Sequence, residues 1–428
     1  MKPRYLLPLA LLFSLSLNAQ LYFPPSDAEQ WETIPAEDLG WCQTEIDTLY
    51  DFLEDNNTKA FIVLKDGKIV LEQYFNEHDA NTNWYWASAG KTLMAFLTGL
   101  AQQEGYLSID APTSDYLGEG WTDCAPEQEA AITVWNQLTM TSGLDDGVAA
   151  PFCTLDTCLQ CLAAPGTRWA YHNGPYTLLR DVVENATGLT INTYHRQRLR
   201  NPIGMDGFFI EQGYNNLYLS TARSMARFGL LILNHGNWAG TPIMADTAYF
   251  NAMVTPSQEL NESYGYLWWL NGQSSYMIPQ LQLAFDGPMA PNAPDDMISA
   301  LGKNGQIINV VPSQNLVMIR MGNAPEDALV PFLLNDQIWG YFNELDCNPV
   351  ATQDGTTAPK LRLFPNPAAD QLYLELPAQL AGENYLIYDA LGRLVQEGQL
   401  NRAINIQELN TGVHTLVWKG GAQRFVKR

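Results

Sequence analysis

Positive charge is scarce in this sequence. Its 428 residues include 23 Lys and Arg against 46 Asp and Glu, a net charge of −23. Such a chain repels phosphate backbones, which argues against nucleic acid as a partner. Histidine is also rare, with five copies, and none begins a His-Glu-x-x-His zinc motif. The glycine-rich fingerprints that cradle phosphates or dinucleotides are missing. No serine has glycine both two positions before and two after it, so the nucleophile-elbow pattern is absent. Past the first twenty residues no apolar run is long enough for a membrane helix. Charged residues are only 16%, while hydrophobic residues reach 46%, enough for a large core.

What is present begins with an export signal. Lys2 and Arg4 precede a short apolar core from Tyr5 to Leu17, and Asn18-Ala19-Gln20 offers a small-residue cleavage site. Residues 1–19 are therefore expected to be a signal peptide, and the mature chain to leave the cytoplasm. The six cysteines suit that compartment: Cys42, Cys124, Cys153, Cys158, Cys161 and Cys347. An even number in an exported chain points to disulfides. Cys42 is expected to pair with Cys347, since the two flank the central region, and the other four among themselves. The alternative for those four is a zinc site built around Cys158-Leu-Gln-Cys161.

A helix is expected around Glu45–Asp55, followed by two strands flanking Asp66-Gly67, a hairpin signal. From Ser88 to Gln103, apolar Leu93, Phe96, Leu97 and Leu100 recur at helical spacing, and Gly105 ends the run. A mostly helical middle extends to about residue 235. Strands return at Tyr264–Leu270, Met297–Leu301, Gln306–Val311 and Leu316–Met321. Strands, then helices, then strands imply an α+β fold, an antiparallel sheet whose first and last parts meet, with a helical subdomain inserted. Residues 348–360 read as a linker. Six short strands follow within residues 361–428, with Gly420-Gly421 as a turn after the last, a small all-β sandwich.

Three short motifs carry chemistry. Ser88-Ala-Gly-Lys91 is the only serine placed three residues before a lysine. On a helix such residues share a face, so the Lys91 amine can reach the Ser88 hydroxyl. A serine needs an adjacent base to become a nucleophile, and a buried lysine of depressed pKa can serve. Tyr171-His-Asn173 lies on a loop entering an apolar helix, where a phenol and an amide can point into a cleft. Lys303-Asn-Gly305 is read on a strand; Gln306 could offer a backbone N–H, and Gly305 would allow close approach of a substrate backbone. Of the aromatics near these motifs, some of Trp84, Tyr85, Trp86, Trp169, Tyr266, Trp268 and Trp269 are expected to line an acyl pocket. His78, His195, His235 and His414 are expected to be structural or surface residues.

In this order the three motifs resemble the serine β-lactamase and penicillin-binding-protein superfamily. They are most similar to its class C β-lactamase-like branch of esterases, D-aminopeptidases and 6-aminohexanoate-oligomer hydrolases. Leu138-Thr-Met-Thr-Ser-Gly-Leu144, Pro202-Ile-Gly-Met205, Leu219-Ser-Thr-Ala-Arg223 and Tyr264-Gly-Tyr-Leu-Trp-Trp269 extend the likeness. The resemblance implies a hydrolase domain over residues 20–347 that cleaves an ester or amide through an acyl-Ser88, without metal or organic cofactor. Lys91 and Tyr171 would share the proton, either being the base, and Asn173 would position the acyl group. Lys303 would place positive charge near Tyr171 or a substrate carboxylate. The N–H groups of Ser88 and Gln306 would form the oxyanion hole. A β-lactamase or D,D-peptidase is the alternative. Asn304 stands where β-lactamases usually have Thr or Ser, and Met140 where relatives often have His. A non-catalytic binding protein is a further reading, opposed by the intact Ser88, Lys91, Tyr171 and Lys303.

The last 68 residues carry Leu363-Phe-Pro-Asn-Pro-Ala, Ile387-Tyr-Asp-Ala-Leu-Gly-Arg393, Leu409-Asn-Thr-Gly-Val and Arg424-Phe-Val-Lys-Arg428. These resemble the type A sorting domain of type IX secretion. That implies the secretion machinery as partner, with passage through the periplasm to the cell surface or beyond.

Overall fold

A computed structural model describes residues 21–26, 30–325, 328–347, 361–375, 380–389, 393–418 and 421–428. The expected signal peptide, the linker, Ala390-Leu-Gly392 and Gly420 lie outside the described residues. The chain divides into two units, Met1–Pro349 and Val350–Arg428.

The first unit is built on a six-stranded antiparallel sheet, its strands numbered here in chain order: β1 (Thr58–Lys65), β2 (Lys68–Tyr74), β3 (Trp269–Leu270), β4 (Ile298–Gly302), β5 (Gln306–Val311) and β6 (Leu316–Gly322). The spatial order is β2-β1-β6-β5-β4-β3, so the earliest strands meet the latest as expected. Asp66 and Gly67 both have positive φ, 51° and 82°, between the paired Lys65 and Lys68. That is the two-residue turn whose twist matches the strands it joins. Helices cover both faces: α1 (Gln43–Asp55), α2 (Lys91–Gln103), α3 (Ala222–Leu233) and α4 (Phe332–Phe342) are the longest. Gly229 of α3 lies against Val317 and Ile308, so close that a Cβ there would stand 2.5 Å from a Val317 methyl. The next residue along β5, Asn309, points the other way and donates to Asn335 of α4 at 2.6 Å. The alternation of a strand thus assigns α3 and α4 to opposite faces.

Several expectations are corrected. The strand expected at Tyr264–Leu270 shrinks to Trp269–Leu270. The chain doubles back there, with Leu267 at φ 61° and Leu270 N–H donating to Ser263 O. The helical middle is interrupted by a hairpin, Phe208–Gln212 with Asn215–Ser220. Its second strand buries Asn216, Tyr218 and Ser220 and its first buries Phe209 alone, so the period-2 signal is largely polar where an apolar one would betray a strand. The disulfides, by contrast, are as expected: Cys42 is joined to Cys347, and the remaining four cysteines form Cys124–Cys161 and Cys153–Cys158, which removes the zinc alternative.

The second unit has seven strands among the described residues, in a three-stranded and a four-stranded antiparallel sheet. Leu372, Ile387, Leu400, Ile406, Leu416 and Phe425 form part of its buried core. The chain beyond the expected last strand returns as a seventh, Gly421–Lys427, paired along the full length of Gly412–Trp418.

Arg320 on β6 is wholly buried. It donates to Thr58 Oγ1, Asn56 O, Asn304 O and Gly305 O. No carboxylate pairs with it among the described residues, and burial lowers its pKa to about 9. Truncation would strand several buried carbonyls at roughly 1–3 kcal/mol each. Arg320→Met is therefore expected to lose about 3 kcal/mol or more in urea melts, and to loosen the turn at 303–305.

Candidate active site

Ser88 sits in a 3₁₀ turn, Ala87–Gly90, directly before α2, rather than within the α-helix itself. The turn is pinned through the residue before it. Trp86 N–H donates to Tyr218 O at 2.8 Å, and the Trp86 indole donates to Ser220 Oγ at 2.8 Å. Ala87 has φ 46°, a left-handed conformation unfavourable for a residue with a Cβ, immediately before the nucleophile candidate. Such strain persists only where the surroundings over-determine it.

Every residue of α2 from Lys91 to Ala101 is buried, so the helix is packed all round. Lys91 is carried into that interior and is 4% exposed. Its Nζ lies 3.1 Å from Ser88 Oγ and 2.7 Å from Asn173 Oδ1. Burial pushes its pKa down to about 7. The neutral amine is then accessible near neutral pH, with a lone pair available to the serine proton. Burial drives the Tyr171 phenol upward, against the opposing effect of its hydrogen bond with Ser88, so it stays protonated. Its ring stacks on Trp269 at 5.7 Å and meets Tyr264 edge-on.

Asn173 opens a short helix, Asn173–Thr177. Gly174 follows it because there is no room for a side chain: a Cβ would stand 2.6 Å from Cys153 O. The Cys153–Cys158 disulfide braces that loop. The structure thus brings Ser88, Lys91, Tyr171 and Asn173 together from elements far apart in sequence.

The third motif is placed differently from its sequence reading. Lys303, Asn304 and Gly305 form the turn between β4 and β5, closed by the pair Gly302 and Gln306. Gly305, at φ 79°, does not face the cleft; the space a Cβ would need is filled by the Arg320 guanidinium. The Gln306 side chain is buried and binds both polar groups of Gly322, at 2.7 and 3.1 Å. The residue of this segment packed against the Ser88 turn is Gly302: a Cβ on it would stand 3.0 Å from Ser88 N and 2.5 Å from Trp86 O. Asn304 donates to Tyr85 Oη at 2.6 Å. Lys303 is half-buried on the turn.

Of the aromatics singled out, Trp169 and Trp269 pack around Tyr171. Trp86 and Trp268 belong to the core beside Phe228. Tyr266 packs on Tyr249. Trp84 and Tyr85 stay half-buried. His172 and His195 are buried, and desolvation lowers them to about 4 and about 3, so both are neutral rings. His78 and His414 are buried as well. The sequence reading missed Tyr176, whose ring centroid is 4.2 Å from Lys91 Nζ. Its position three residues after Asn173 was the available signal.

Residues 54–339 match the Beta-lactamase family. The chain belongs to the beta-lactamase family. Residues 362–428 match a second family, the secretion system C-terminal sorting domain, which indicates export. An uncharacterized protein of Alkalihalophilus pseudofirmus is 23% identical over 313 residues, covering 64% of this chain and 85% of the relative. A Bacillus anthracis structure assigned as a 6-aminohexanoate-dimer hydrolase is 19% identical at TM-score 0.57, covering 76% of this chain and 89% of that one. A Bacteroides dorei structure assigned as a beta-lactamase is 17% identical at TM-score 0.57, covering 72% and 100%. A family VIII carboxylesterase is 14% identical at TM-score 0.53, covering 73% and 98%. These structures share this beta-lactamase-family protein's fold.

The buried amine couples stability to pH. An unfolded lysine holds its proton up to about 10.4, whereas folded Lys91 releases it near 7. Between those values the unfolded chain binds more protons, so this lysine makes stability rise with pH, and below 7 its full cost is felt. Lys91→Met is expected to be more stable than wild type at pH 6, by a few kcal/mol. The difference should shrink toward pH 10. Denaturant melts across that range check it; an advantage that does not change with pH would contradict the shift.

Proposed function

We propose that this exported protein is a serine hydrolase that cleaves an ester or small amide through an acyl-Ser88 intermediate. The observation that carries the reading is the Lys91 amine, buried and poised near neutrality, within hydrogen-bond reach of both Ser88 and Asn173. Lys91 takes the Ser88 proton as Oγ attacks the carbonyl carbon. Asn173 and the protonated Tyr171 phenol orient the reacting groups, and the proton passes through Lys91 or Tyr171 to the leaving oxygen or nitrogen. Water, deprotonated by the same lysine, then releases the acid.

The Ser88 N–H supplies one donor for the oxyanion. The second comes from main chain at Gly302–Lys303 rather than from Gln306, because Gly302 is the residue packed against the Ser88 turn. Ester or amide substrates are favoured over β-lactams because the third motif offers no hydroxyl beside Lys303, and the Asn304 amide is held by Tyr85. The sorting domain supports delivery to the cell surface or beyond, following a signal peptide at residues 1–19.

Exposure to a fluorophosphonate ester is expected to add one adduct to the wild-type mass and none to Ser88→Ala. Against an ester that reacts, kcat/KM should rise with pH along a limb centred near 7. Folded wild-type protein that takes up no adduct would refute the nucleophile assignment.

A further inference from the structure

When Lys91 accepts the serine proton it becomes an ammonium with no carboxylate partner among the described residues. Both of its hydrogen-bond partners, Ser88 Oγ and Asn173 Oδ1, are neutral. None of the ion pairs among the described residues includes it, and burial is the sole cause of its shift. The groups that face it are few. Its own turn contributes Ser88, and the segment at 171–177 contributes Tyr171, Asn173 and Tyr176. The Tyr264 ring meets Tyr171 edge-on, with centroids 6.3 Å apart. Burial raises all three phenols, so none supplies negative charge near neutral pH.

What does meet the amine is a pair of aromatic faces. Nζ lies 4.2 Å from the ring centroid of Tyr176 and 5.1 Å from that of Tyr171. An aromatic face carries a negative quadrupole and attracts a cation within about 6 Å, most strongly where water is excluded. Tyr176 is 6% exposed, so the contact is largely dry. Tyr171 is the more distant ring, and its hydroxyl is engaged with Ser88.

We propose that Tyr176 is a positioning residue acting through Lys91, its ring face being the fixed counterpart of the positive charge that Lys91 gains from Ser88. The attraction is weak while the amine is neutral and full once it is protonated. It therefore favours the transition state over the resting enzyme. It also offsets part of the desolvation that lowers the lysine, keeping the base strong enough to work near neutrality. The inference rests on Lys91 being the base.

The test is the rate at which a fluorophosphonate ester labels Ser88 in the full-length protein, measured from about pH 5 to 9. Wild type should show a limb near 7. Tyr176→Phe, which keeps the ring, should leave the limb in place. Tyr176→Leu should move it down by about one pH unit and lower the plateau severalfold. If the leucine variant does not fold, 3,4,5-trifluorophenylalanine at position 176 keeps the volume while cancelling the quadrupole, and it should move the limb the same way. A wild-type limb that stays in place with the ring fluorinated or removed reduces Tyr176 to packing. A wild-type rate that is flat with pH removes Lys91 as the base and this proposal with it.

Discussion

The contact on which the site depends is the lysine amine held between a serine hydroxyl and an asparagine amide inside the protein. Lys91 Nζ meets Ser88 Oγ and Asn173 Oδ1 with almost no water access. Burying an ionisable group without an opposite charge penalises its charged form, and here that penalty lowers the lysine toward neutrality. The helix that imposes the burial is α2, which is covered on every side. An amphipathic helix would have let the same lysine reach solvent and remain a cation.

The rest of the domain holds the two partners of that amine. The strained Ala87 and the hydrogen bonds from Trp86 set the Ser88 turn against the hairpin strand at Tyr218. Asn173 is set by the close fit of Gly174 on the loop that the Cys153–Cys158 disulfide braces. The sheet enters through β4, whose terminal Gly302 reaches the Ser88 turn. Across β5 and β6, the turn that follows Gly302 is fastened by Arg320 and Gln306 to backbone carbonyls. A buried guanidinium bound only by neutral oxygens is costly, which makes it a structural commitment to that one turn geometry.

Elements with strong local signals were legible from residues alone. Asp66-Gly67 announced its hairpin, the spacing of Leu93, Phe96, Leu97 and Leu100 announced α2, and the turn-punctuated tail announced a β-sandwich. The hairpin at 208–220 was not, because Asn216 and Ser220 are polar positions of its buried face, while Phe208 and Ile210 are exposed on either side of buried Phe209. The last strand, Gly421–Lys427, was hidden because Gly420-Gly421 reads as an ending. In the site, Ser88 and Lys91 were legible because three residues of one turn decide their proximity. Gly305 was misread, since the side of the chain from which a neighbour approaches a glycine is not a local property.

By itself the sequence determined which groups were available: one Ser-x-x-Lys pair, a phenol and an amide two residues apart, and six cysteines. It also determined those elements with strong local signals, because periodicity and turn chemistry act over a few residues. Only the tertiary structure decided that the lysine loses its water, that Tyr176 rather than a carboxylate faces it, and that Gly302 rather than Gln306 meets the Ser88 turn. Desolvation and close approach are properties of what surrounds a residue, and those neighbours come from segments as distant as residues 88, 173 and 302.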